Sequence, residues 1–473
     1  MTSVMLDRDQ LKTLVHQALR GWNSPSGGPG EQLSALLLVQ EQRRALGPEP
    51  AALRLVTNQV LTESVDILAQ QDELSARVLR LRFFEDEITL MVAQRIGRGE
   101  DQTKRLQRKA IDQLTQVLWE RENALREQRI QEFEAALGTQ TNRHLFGVEA
   151  ALTSLTAELL RPDTPWVVLI SGIGGIGKST LADALVRQVI PHFYFEQVAW
   201  LQIDRQPSAP GRVDEATIYE NVMAQLAARF CPYLQPGLPA GERNLHIRQT
   251  LKAAPHLIVI DDLEAKEETD SLLASLHDLA SPSKFLLTSR FRPPGRDGTF
   301  SYTLTELHPA TAAQLIRHHA QDTGATELAA ISDTAAQTIY NTIGGNPLAL
   351  KLVVSLAASL PLPQILDDFI EVNTRDVQDI YRHIYWKTWH SLSPAGQQLL
   401  EIMHLAAPIG VTPDEMAIMA GLDKADLLPA IAELVHRSLL DVRGSPWDRR
   451  YAIHALTRAF LQTEIIHWPE DLV

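Results

Sequence analysis

The sequence predicts an α/β core, a parallel sheet flanked by helices, preceded by an all-α module and followed by further, mainly helical domains. Three observations carry this expectation. Strands are expected at 166–170, 256–260 and 284–289, and the continuous apolar run of the second has the composition of a strand buried on both faces, as in a parallel sheet. The first run breaks into glycines and then restarts as a helix through Leu181, Ala182, Leu185 and Val186. Elsewhere, over 6–69 and again from 311 onward, apolar residues recur at helical spacing.

With 473 residues and a net charge of −14, the chain is expected to hold three or four domains. The acidic balance, with a pI near 5.5, excludes a protein that coats nucleic acid over its whole surface, yet leaves room for a local basic patch. A single cysteine, Cys231, excludes an intramolecular disulfide and any zinc site built on several cysteines. The start carries Asp7 and Asp9 and no apolar core, and no long uninterrupted apolar run follows. Neither a signal peptide nor a membrane span is therefore expected, and the cytoplasm is the expected compartment.

In chain order, three helices are expected within 1–72, separated by the breakers of 23–30 and 47–50. Residues 73–136 form the next unit. A helix over 73–84, a shorter one over 88–96, the turn Gly97-Arg98-Gly99 and a third helix over 101–118 give helix-turn-helix spacing, and 120–136 reads as a charged spacer helix. The third helix carries Thr103, Lys104, Arg105, Arg108 and Lys109, and 102–109 contain no acid. This unit resembles the promoter-reading C-terminal domain of bacterial sigma factors, which implies DNA contact through Lys104, Arg105, Arg108 and Lys109. Three-helix units of this kind also serve as protein-docking modules, so both readings stand at this point.

The organising motif is Ser171-Gly172-Ile173-Gly174-Gly175-Ile176-Gly177-Lys178-Ser179-Thr180. Its spacing is that of a phosphate-binding P-loop between strand and helix. Glycines let the backbone wrap closely round a polyphosphate with its N–H groups turned inward. Lys178 would reach the β- and γ-phosphates, Ser179 would ligate Mg²⁺, and the following helix would aim its positive end at the anion. Downstream, the 256–260 strand ends in Asp261-Asp262. Asp261 then fits the acid that holds Mg²⁺ through water, and Asp262 the one that orients attacking water. The strand over 284–289 ends in Arg290, whose planar guanidinium suits γ-phosphate oxygens.

Helical pattern follows over 311–321 and 328–341, and then Gly344-Gly345-Asn346-Pro347-Leu348-Ala349 sets a corner before another apolar helix. The order of these motifs over 145–350 resembles the NB-ARC branch of the STAND NTPases, switch ATPases of plant resistance proteins, apoptotic scaffolds and bacterial regulators. The resemblance implies a P-loop NTPase domain over 137–305, a helical domain over 306–375 and a winged-helix domain over 376–473. In the last, helices are expected over 386–392, 395–406, 412–420 and 424–436, strands over 438–442 and 451–454, and a wing over 443–450. The resemblance also implies ADP or ATP as ligand with Mg²⁺, bound by Phe146, Gly172, Gly174, Gly175, Ile176, Gly177, Lys178, Ser179, Thr180, Pro347 and His454. His454 occupies the place of the family's Met-His-Asp histidine, without the aspartate: the sequence is Ile453-His454-Ala455-Leu456. Val148 stands where the family usually has arginine.

The function so implied is a slow ATPase acting as a switch, closed with ADP and opened or oligomerised with ATP, that controls the N-terminal module. An ATP-gated DNA-binding transcription regulator is the alternative. No repeat of 20–50 residues is visible, so a repeat sensor is expected either in another chain or in a longer form of this one.

Overall fold

The computed structural model describes residues 6–466 apart from 24–32, 47–49, 138–143, 204–214, 236, 264–265, 294–296, 359, 372–381, 383–384, 387, 391, 407–409, 438, 446 and 454. The chain divides into two compact units, one of Met1–Phe133 with Val189–Tyr194 and the other of Glu134–Gln188 with Phe195–Val473.

The described part of the first unit is helical. Helix α1 (Arg8–Arg20) opens with a capping box in which Asp7 and Gln10 satisfy each other's backbone N–H groups. It is followed by α2 (Leu37–Leu46), α3 (Pro50–Gln71), α4 (Glu73–Leu79), a π-helical turn at Arg80–Phe84, α5 (Thr89–Ile96) and α6 (Glu100–Leu137). Leu11, Val15, Leu19, Val60, Leu61, Leu114 and Leu118 fill the core, each burial contributing roughly 1.5–3 kcal/mol. An ion pair, Glu122 with Arg126, is also buried. The Glu122 carboxylate accepts from the Leu37 and Leu38 amides at the start of α2 (2.9 and 3.0 Å) and from Arg126 Nε at 2.7 Å, so its desolvation is offset by three donors.

Two expectations change here. The third helix and the spacer are one continuous helix of 38 residues, because 100–137 contains no Gly or Pro and is rich in Glu, Gln, Arg, Leu and Ala, so nothing interrupts it. Thr103 is not on the exposed basic stripe: it is buried, and its hydroxyl donates to Gly99 O at 3.0 Å.

The second unit holds a five-stranded sheet in the order β2-β3-β4-β1-β5, from β1 (Val167–Ser171), β2 (Gln197–Gln202), β3 (His256–Leu263), β4 (Lys284–Ser289) and β5 (Thr299–Thr303). All its pairings are parallel. Strands β1, β3 and β4 are almost wholly buried, as their apolar composition requires. Helix α7 (Glu149–Leu160) precedes the sheet and α8 (Lys178–Val189) follows β1; α9 (Glu215–Phe230), α10 (Ala240–Ala253) and α11 (Lys266–Leu279) share an apolar cluster with Val167, Leu169, Ile258, Ile260, Phe285 and Leu287. A lysine is buried at the start of β4. Lys284 is fully buried, donates to Glu158 O at the end of α7 (2.8 Å) and lies 5.7 Å from the Trp166 ring centroid. Burial pushes its ammonium down to about 8, against the opposing pull of Asp163 and Glu158.

Beyond the sheet lie α12 (Pro309–Asp322), α13 (Thr326–Ala329), α14 (Asp333–Ile343), α15 (Pro347–Ala357) and α16 (Leu362–Glu371). The single helix expected over 328–341 is thus two, because Ser332 turns out as an N-cap that accepts from Ala335 N and starts α14 afresh. Further on, α17 (Pro394–Ile402), α18 (Pro413–Ala420) and α19 (Lys424–His436) lead to an antiparallel hairpin of β6 (Asp441–Ser445) and β7 (Asp448–Ala452), to which Val411 adds a bridge with Tyr451. Most of the expected wing, 443–450, is therefore paired strand rather than loop, since β6 and β7 stay in register down to Ser445 and Asp448. One apolar cluster runs from Ala312 through Leu350 and Leu399 to Leu461, so these helices share a continuous core.

Candidate nucleotide-binding site

Strand β1 ends at Ser171, and the chain leaves it at Gly172 with φ +156. A Cβ there would stand 2.8 Å from Leu304 O, so only glycine fits. The loop turns through Gly174 and Gly175 and enters α8 at Lys178. At Gly175, φ is +71 and a Cβ would meet Leu348 Cβ at 2.9 Å, so the loop passes hard against the Asn346–Leu348 corner. Ile176 is buried, while Gly174, Gly177, Ser179 and Thr180 are half-buried. Lys178 Nζ donates to Gly172 O at 2.9 Å and Ile173 O at 3.0 Å, which places the ammonium across the loop it is expected to serve.

Ser179 Oγ donates to Asp261 Oδ1 at 2.8 Å, joining the start of α8 to strand β3. The same carboxylate oxygen accepts from Thr288 Oγ1. Thr288 lies on β4, the strand inserted between β1 and β3, so the intervening strand bridges the loop strand and the acid strand. Asp262 differs from its neighbour. It is half-buried, sits at φ +68 where the β3–β4 register shifts, and its amide donates to Thr288 Oγ1 at 2.8 Å. Both acids lie inside β3, which runs on to Leu263, and not beyond its end. Arg290 follows β4 directly, is half-buried, and its amide donates to Leu263 O at 3.0 Å, so it occupies the same sheet edge as the acids.

Asn346 is the residue that sequence reasoning missed. It is 1% exposed; its Nδ2 donates to Gly174 O at 2.9 Å, and its Oδ1 caps α15 by accepting from Leu348 N (3.0 Å) and Ala349 N (3.4 Å). Gly345 and Glu306 hold the corner, with Gly345 N donating to Glu306 Oε2 at 3.0 Å and Leu307 N donating to Gly345 O at 2.9 Å. An asparagine before a helix-starting proline was the available sign of a cap; nothing local announced its bond to Gly174. Pro347 occupies the first turn of α15. Phe146 is half-buried against the helical cluster, edge-on to His144 (4.6 Å) and His318 (5.5 Å). His454 lies outside the described residues.

On α6, Lys104, Arg105, Arg108 and Lys109 are all exposed. Three are engaged: Lys104 pairs with Glu100 at 2.8 Å, Lys109 pairs with Asp72 at 3.1 Å, and Arg108 Nε donates to Lys104 O at 3.4 Å. The Ser75 amide, then Lys109, holds the Asp72 carboxyl well below the usual carboxylate range. Arg105 and Lys109, with Leu74, Arg98, Gln102 and Leu106, line a groove of about 300 Å³. No helix among the described residues is long and apolar enough to cross a membrane.

A glycine loop at the C-terminal end of a central parallel strand, a lysine and a serine opening the next helix, and an acid two strands away on Ser179 define the nucleotide-binding core of a P-loop NTPase. Comparison with known proteins narrows the class: the NB-ARC domain matches residues 148–294. Disease resistance protein RPP8 of Arabidopsis thaliana is 28% identical over 239 residues, 49% of this chain and 25% of the plant protein. Disease susceptibility protein LOV1 of the same plant is 26% identical over 249 residues, 50% of this chain and 26% of its own. The chain thus spans about a quarter of the length of these relatives. Among solved structures, a Signal Transduction ATPase with Numerous Domains carrying a tetratricopeptide repeat sensor, from Pyrococcus horikoshii, aligns over 69% of this chain and 43% of its own at 18% identity and a TM-score of 0.46.

Proposed function

We propose that this chain is an ADP/ATP-operated signalling switch of the STAND class, closed with ADP and opened or oligomerised with ATP to control its N-terminal module. The observation that carries the reading is the Ser179–Asp261 hydrogen bond, which brings a hydroxyl and a carboxylate together at the mouth of a P-loop. Both are hard oxygen donors of the kind Mg²⁺ takes, so they fit as its protein ligands, one directly and one through water. The ion would supply charge neutralisation at the phosphates. Lys178 would hold the β- and γ-phosphates, Asp262 would orient the attacking water, and Arg290 would contact the γ-phosphate. Phe146, Gly172, Gly174, Gly175, Ile176, Gly177, Thr180, Pro347 and His454 complete the proposed nucleotide set. Turnover serves as a slow timer. Only a difference in contacts between the two nucleotide states shifts the population, and Arg290 towards γ-phosphate in one state with His454 towards ADP in the other would provide it.

The proposed domains are 1–72 and 73–136, helical; 137–305, nucleotide-binding; 306–375, helical; and 376–473, winged helix. A sensor or effector acting in trans and a cytoplasmic location belong to the same reading. A second reading, an ATP-gated DNA-binding regulator, is favoured by one observation, the exposure of Lys104, Arg105, Arg108 and Lys109 along a single helix.

The test is to denature purified protein and resolve the released nucleotide by anion exchange, with ADP the expected content. A pocket that is empty and that also takes up no added nucleotide with Mg²⁺ rejects the assignment.

A further inference from the structure

We infer that Asn346 is a positioning residue for the phosphate-binding loop, setting the orientation of the Gly174–Gly175 peptide through its side-chain amide. The inference rests on the nucleotide-binding reading above and adds a determinant of affinity from outside the loop.

In a trans peptide the carbonyl of one residue and the N–H of the next point in opposite directions. Gly174 O is held by Asn346 Nδ2 at 2.9 Å, across 172 residues of sequence. The Gly175 N–H is thereby turned away from α15 and left available to an anion held by the loop. A Gly-Gly peptide is intrinsically loose, since both residues adopt left-handed and right-handed conformations at similar cost, and this bond restricts it. Asn346 itself is immobilised. It is 1% exposed, and its Oδ1 is engaged by the Leu348 and Ala349 amides, so the Nδ2 has one direction in which to donate. Leu348 adds a steric stop, since its Cβ lies 2.9 Å from the position a Gly175 Cβ would take. The corner is anchored in turn by Glu306 and Leu307. The donor geometry of the loop therefore depends on the start of α15 being docked.

The two halves of the carboxamide separate this role from helix capping. The Asn346→Asp variant would cap α15 as well as wild type does, but a carboxylate has no N–H and sets an anion against Gly174 O. The experiment compares wild type, Asn346→Asp and Asn346→Ser in the full chain. Titration with a fluorescent ADP analogue reads affinity, and hydrogen exchange followed by mass spectrometry reads the peptide covering 172–180 in the nucleotide-free protein. The expected result is roughly tenfold weaker binding and faster exchange confined to that peptide in both variants. Asn346→Ser should keep its thermal midpoint near wild type, whereas Asn346→Asp buries a carboxylate against a carbonyl and lowers it. Wild-type affinity and exchange in both variants would overturn the inference, as would weakening matched by a general loss of protection. If wild type itself binds no ADP, it is the nucleotide reading that fails, and the exchange arm still decides whether Asn346 orders the loop.

Discussion

Replacing Lys284 by methionine removes a buried charge from the start of β4 while keeping the length of the side chain. The free ammonium value of 10.5 falls to about 8 in the folded chain, a gap worth roughly 3 kcal/mol against the folded state at neutral pH. The sign follows from proton counting. Between about 8 and 10.5 the unfolded chain holds more protons at this site than the folded chain, so stability rises with pH across that window. Going from about pH 7 to about pH 9.5 should recover about 2 kcal/mol of the cost, or about 3 °C in Tm for a cooperative unit of this size. Methionine has no such term, although it leaves Glu158 O without the Lys284 donor, at a cost of about 1 kcal/mol. The assay is a thermal-shift series over pH on both proteins. Taking wild type minus Lys284→Met cancels every other titrating group, and the difference should climb with pH in favour of wild type. A difference flat from pH 7 to 9.5 would refute the reasoning, meaning that Trp166 and Glu158 solvate the ammonium in full.

Lys178→Ala should abolish nucleotide binding, whereas Asp262→Asn should spare binding and slow hydrolysis at least tenfold, measured by equilibrium titration and phosphate release; equal loss of binding in both would reject the separate roles. Gly175→Ala forces a Cβ into Leu348 at φ +71 and should weaken ADP binding while lowering stability by about 1–3 kcal/mol, read by the same titration and by urea unfolding. Changing Arg105 and Arg108 to Glu should remove any salt-dependent binding of duplex DNA by the full protein and leave its circular dichroism intact, since both are exposed. If wild type shows no DNA binding at low salt while ATP still drives assembly, the basic stripe is a protein-docking face.

The parts of the candidate site that the sequence proposes share one property: each is a short local pattern. The loop from Gly172 to Ser179, the acids at the end of an apolar run, and Arg290 after another all carry their signal in local pattern. Strand β5 did not, because Thr299–Thr303 is short and only partly buried at the sheet edge. The bond from Asn346 to Gly174 and the Thr288 hydroxyl on Asp261 were equally hidden, since each depends on elements brought together only by the topology. Glu122 belongs with them: its partners at Leu37 and Leu38 lie more than 80 residues away. The continuous α6 was misread for the opposite reason. A change of charge pattern near Glu120 looked like a boundary, but charge pattern does not end a helix where no residue breaks it.

The left-handed backbone of Asp262 decides which replacements can be informative there. Aspartate, asparagine and glycine enter that region at low cost, while alanine costs about 1–2 kcal/mol and β-branched residues more. An alanine scan would therefore report backbone strain and lost carboxylate together, in the strand that also carries Asp261. The same filter applies to drift over generations. A descendant that gives up the negative charge at 262 should pass through asparagine or glycine, so the residue type found there in related chains distinguishes loss of the carboxylate from loss of the local backbone.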